Sequence, residues 1–126
     1  MKRHVDFLSW LHIAWGIVFL LVALAGGALA AGALAISTGT SPIQAASPMA
    51  ARVTAFTLTV VALLALLWAV LHVWIGRALG QYRPRARLLA LGLAVVNMVL
   101  LPFGTALGIY ACWVLLRDDG RRVFVG

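Results

Sequence analysis

Four uncharged apolar stretches, separated by short polar punctuation, organise this chain. The first covers residues 7–36. At about 1.5 Å per residue a helix of that length extends roughly 45 Å, well beyond the roughly 30 Å of a bilayer's hydrocarbon core, so it has to tilt, bend or project. The adjacent Gly26 and Gly27 are the expected point of bending. Residues 37–51 carry Ser, Thr, Gly and two prolines without a charge, which predicts a loop.

A second apolar helix is predicted over 53–76, just after Arg52, and a basic connection over 77–87 follows. Pro84 suits a first helical position, so the third helix is placed at 84–101. A turn at Pro102-Phe103-Gly104 leads into the fourth, 104–118, only roughly 22 Å long. Two readings stand for this last pair: a re-entrant hairpin of half-helices, or two full spans lengthened by snorkelling arginines and a thinned bilayer. The expectation is four full spans: an all-α membrane protein, a four-helix transmembrane bundle filling one domain, residues 1–126.

Composition agrees with a bilayer as solvent, since 64% of the 126 residues are hydrophobic and only 10% are charged, against roughly 25% charged in soluble domains. The net charge of +7 does not mark a nucleic-acid binder, because the basic residues sit in clusters between apolar runs rather than along one solvated face. Of the ten basic residues, four spans put all but Arg52 on one side of the membrane. By the positive-inside rule both termini and the 77–87 loop are cytoplasmic. Arg77, Arg83, Arg85, Arg87 and Arg117 then serve as topology signals and contacts to anionic headgroups. The basic start resembles a signal peptide, but the apolar run behind it is too long for one that is cleaved.

Lipid gives helices no hydrophobic reward for associating, so small residues that permit close backbone approach have to supply the contact. The expected packing positions are Gly16 and Gly27 in the first helix, Ala62, Ala69 and Gly76 in the second, and the Gly104-x-x-x-Gly108 pair in the fourth. Asn97, Thr57, Thr59 and Thr105 offer hydrogen bonds across helices. The five tryptophans fall toward the cytoplasmic half, as an aromatic belt does.

Ionisable groups inside a span are costly and are candidates for function. His12 and His72 lie at similar depth, each four residues before a glycine of a packing stripe, and Cys112 is level with them. Such a layer suits zinc, copper or iron, or a bis-histidine haem with Gly16 and Gly76 making room for the ring. A proton relay and plain interfacial histidines are the other readings of the same residues. No nucleophile elbow, phosphate loop or intramembrane carboxylate pair is present in the sequence, so no catalytic residue is assigned and the chain is expected not to be an enzyme.

The second half resembles a widespread, largely uncharacterised group of small bacterial four-span membrane proteins. The likeness rests on Gly76-Arg77-Ala78-Leu79, Pro84-Arg85-Ala86-Arg87, and residues 102–116, which fit P-x-G-T-x-L-G-x-Y-x-x-W-V-L-L. It departs at Arg85, where the group has Trp, and Cys112 is no part of its pattern. The resemblance implies four spans and no particular activity. The expected role is a structural or interaction protein that self-associates or accompanies a larger membrane complex, with lipids as its surroundings. The alternatives are an oligomeric channel or carrier, and a metal- or haem-binding subunit using His12 and His72.

Overall fold

A computed structural model describes residues 1–44, 47–100 and 102–125. Among these the chain is all helical: α1 (Lys2–Ser37), α2 (Pro48–Gly80), α3 (Pro84–Asn97), α4 (Phe103–Leu116) and α5 (Asp118–Val125). Two helices, α1 and α2, are long and apolar enough to cross a membrane. α1 runs unbroken through Gly26 and Gly27, so the expected bend is not an interruption of the helix.

Both long helices end in the same way. Gly39, at φ +72°, follows α1 in the left-handed region, and its N–H and that of Thr40 donate to Ile36 O and Ala35 O. This is the Schellman closure, which needs a residue that tolerates positive φ. After α2 the same pair of bonds runs from Tyr82 to Leu79 O and from Arg83 to Ala78 O. Here the left-handed residue is Tyr82, at φ +53°. A tyrosine at such a position is unfavourable by itself and is held by what its side chain reaches.

The chain forms two compact units, Met1–Trp15 with Leu71–Gly126, and Gly16–Val70. In the first unit α3 and α4 pack as a short hairpin. A Cβ on Gly108 would lie 2.5 Å from Ala94 O, and one on Gly104 2.6 Å from Asn97 O, so glycine alone lets the backbones touch. Ala90, Ala94, Ala111, Val114 and Leu115 are fully buried around this contact. α3 ends at Asn97, short of the predicted 101, a position outside the described residues, and both hairpin helices reach only about 21 Å.

Three further contacts shape the first unit. Arg87, read as a headgroup contact, is half-buried and its Nε donates to Leu115 O at 2.9 Å, satisfying a carbonyl at the end of α4. Beyond α4 the chain forms α5, whose Phe124 and Gly120 are buried. Asp6 accepts a 2.6 Å hydrogen bond from the Tyr82 hydroxyl. Tyr82 also packs its ring edge against Phe124. One side chain thus ties α1, the α2–α3 connection and α5.

That bond has a pH signature. The hydrogen bond to Asp6 first, then loss of water and the carboxylate's charge, raise the Tyr82 phenol above its usual value near 10. A phenol raised on folding contributes fully below its unfolded value and loses the contribution as pH rises through the folded one. In phenolate absorbance titrations of wild type and Tyr82→Phe, the step missing from the variant is expected above pH 10.

In the second unit the inward stripe of α1 is Gly16, Ala23 and Ala30, seven residues apart, facing a matching stripe of α2 that includes Ala55, Ala62 and Ala69. A Cβ on Gly26 would meet Ala62 Cβ at 3.4 Å, an ordinary contact. Gly27, expected in the contact, lies to one side of the stripe with nothing within 4 Å of an added Cβ.

Candidate functional site

The polar core of the first unit is built by three helices. His12 of α1, His72 of α2 and Asn97 at the end of α3 are all fully buried. The imidazoles face one another with ring centroids 5.8 Å apart and planes inclined by 27°. Close approach of α1 and α2 makes this possible: a Cβ on Gly76 would sit 2.8 Å from Ile13 Cγ1 and 2.9 Å from Ser9 O. The buried Ser9 hydroxyl then donates to Gly76 O at 2.7 Å. Ser9→Ala leaves that contact without its hydrogen bond, and a loss of about 1 kcal/mol in detergent unfolding is expected.

Hydrogen bonding sets the protonation of each ring. His12 Nδ1–H donates to Leu8 O at 3.0 Å, the carbonyl one turn earlier, so the neutral ring keeps its lone pair on Nε2. Asn97 Nδ2–H donates to His72 Nε2 at 2.9 Å. Two acceptors are left over: His12 Nε2 and Asn97 Oδ1 are buried without a hydrogen-bond partner among the described residues. The layer is therefore short of donors, and a hydrogen-bond donor such as water is what it has capacity to take.

This arrangement bears directly on the metal and haem readings. His12 and His72 do come together, but among the described residues no three His, Cys, Asp or Glu side chains form a group able to hold a metal ion. Cys112, predicted as a third ligand, is a half-buried free thiol on α4. Gly76 brings the two helix backbones into contact instead of opening a slot, so a macrocycle has no room between them. His72 Nε2, the nitrogen a haem iron would use, is already engaged by Asn97.

Protein-family models, curated proteins and solved structures give no match to this chain. The site is accordingly read from its own geometry.

Sequence reasoning found both histidines and gave Asn97 as a hydrogen-bonding residue across helices, but did not bring it to them. It also left out the cluster at the N-terminal end of α1. His4 Nδ1 lies 3.1 Å from the Tyr110 hydroxyl, and its ring meets Trp113 edge-on at 5.6 Å. Phe7 packs edge-on against Tyr110, and the Arg117 guanidinium lies 5.0 Å over Trp113. The basic, aromatic-rich ends of α1 and α4 were legible; their pairing was not. Such a cluster of rings with a cation fits the interfacial zone, where amphipathic rings are at home. Of the other polar candidates, Thr59 and Thr105 bond to Ala55 O and Met98 O.

Proposed function

We propose that this chain is a non-enzymatic integral protein of the bacterial inner membrane, with both termini cytoplasmic, that works as a helical packing and interaction subunit. The observation that carries the reading is the outward surface of α1 and α2. Leu21, Leu24, Leu29, Leu63, Leu64 and Leu67 are each about three-fifths exposed on helices without a polar face. Water would not tolerate so continuous an apolar surface; lipid or a partner helix would. Roughly 22 residues of each long helix lie in the second unit, about 33 Å, a length matched to the hydrocarbon core.

The short hairpin is read as re-entrant rather than as two further crossings. Asn97, at its tip, bonds His72, which is about 12 Å along α2 from the helix end at Gly80. A tip at that depth turns back well short of the far side. Both readings of the hairpin keep its basic ends on the cytoplasmic side, so the charge bias is unaffected.

The test is cysteine labelling in a Cys112→Ser background. A reporter at Gln44 is expected to react from outside only, one at Val125 from inside only, and one at Val99 not from outside. Labelling of Val99 from outside would restore four crossings, and a protein that fractionates without membranes would sink the proposal.

A further inference from the structure

The second unit carries a single charge. Between residues 16 and 70 there is no Asp, Glu or Lys, and Arg52 is the one basic residue. Within the same unit an open groove of about 540 Å³ runs between α1 and α2, and Arg52 is part of its lining. The buried methyl groups of Ala30 and Ala55 form its floor, and the exposed Phe56 and Leu63 form its rim. Thr59 also borders the groove, but its hydroxyl donates to Ala55 O at 2.7 Å, within its own helix. The surface that remains is apolar, with one cation. From Arg52 to Leu63 it follows α2 for about 16 Å.

A guanidinium beside an apolar groove attracts an anion, and no side chain of this unit supplies one. A groove beside it with small residues on its floor needs an apolar filling of narrow section. One molecule meets both demands: an anion joined to a hydrocarbon tail. We infer that this groove seats an acyl chain of an anionic phospholipid, with Arg52 holding the headgroup phosphate. Guanidinium suits phosphate because its planar donors match two oxygens at once. The tail gains from packing contacts along the groove, since its surroundings are apolar whether or not it is bound. The inference rests on the membrane reading above, which fractionation tests separately.

Gly27 supplies a clean way to close the groove. It lines the cavity, and a side chain added there enters open space without striking the backbone. The experiment uses the full chain in non-ionic detergent, with retained lipid counted by native mass spectrometry against phosphatidylglycerol and phosphatidylcholine. Wild type is expected to retain one phosphatidylglycerol per chain with about tenfold preference over phosphatidylcholine, whose phosphate is neutralised by its own choline cation, which the guanidinium repels. Arg52→Gln should remove the preference and leave weak retention of both lipids. Gly27→Leu should lower retention of both while the circular dichroism of the helices stays unchanged. Inorganic phosphate should not displace the lipid. Equal retention of the two lipids by wild type, or undiminished retention by Gly27→Leu, would overturn the inference. Displacement by phosphate would reduce the site to an anion contact, and a doubled mass without lipid would give the groove to a second copy of the chain; either result also overturns it.

Discussion

Gly108→Ala is expected to destabilise the α3–α4 hairpin by about 2–3 kcal/mol, although it adds a single methyl group. The new Cβ would lie 2.5 Å from Ala94 O and 2.9 Å from Met98 Cγ. The methionine can swing away, but the carbonyl belongs to the helix backbone, so α3 and α4 have to separate and lose contacts along their length. Gly92→Ala is the matched control. Gly92 lies on the exposed face of α3 with nothing within 4 Å of an added Cβ, so alanine there should stabilise the helix by about 0.5–1 kcal/mol. Unfolding of both variants in mixed micelles, followed by circular dichroism, checks the pair. Equal shifts in one direction would mean that Gly108 does not set the approach of the two helices.

The second large effect belongs to the buried layer. Asn97→Leu removes the donor to His72 Nε2 and strands an acceptor in apolar surroundings, at an expected cost of about 1–3 kcal/mol. His72→Phe should cost a similar amount, because it strands the asparagine amide. Together the two substitutions remove both partners, so the double variant should lose less than the two single losses combined, with a coupling of about 0.5–2 kcal/mol. Additive losses in the same unfolding assay would mean that the bond contributes nothing.

Much of this molecule is written locally. The lengths of the apolar runs predict α1 and α2 because, in an apolar medium, a backbone has to bond within its own helix. Pro84 opens α3 and Gly39 closes α1 for reasons of φ alone. Tyr82 closes α2 in the same left-handed conformation, yet no residue preference points to it. The conformation is held there by a hydroxyl reaching Asp6, 76 positions away, and by Phe124 on α5.

The candidate site divides in the same way. His12 and His72 were legible as partners because each stands four residues before a glycine, a spacing that puts both on the contact faces of their helices. Asn97 was not, since its depth depended on whether α3 crosses the bilayer or turns back. Gly27 was misplaced because a rotation of only about 50° around the helix axis separates the buried stripe of α1 from the open groove beside it.

The sequence by itself determined a helical chain, two of whose four expected spans are helices of membrane length, and a strong bias of positive charge, because hydropathy and charge act position by position. Tertiary structure alone decided which faces meet: that Asn97 reaches His72, that Arg87 bonds the end of α4, and that Arg52 borders an apolar groove. Those pairings depend on the rotation and depth of whole helices, and a shift of one turn, which local propensity does not register, would exchange every one of them.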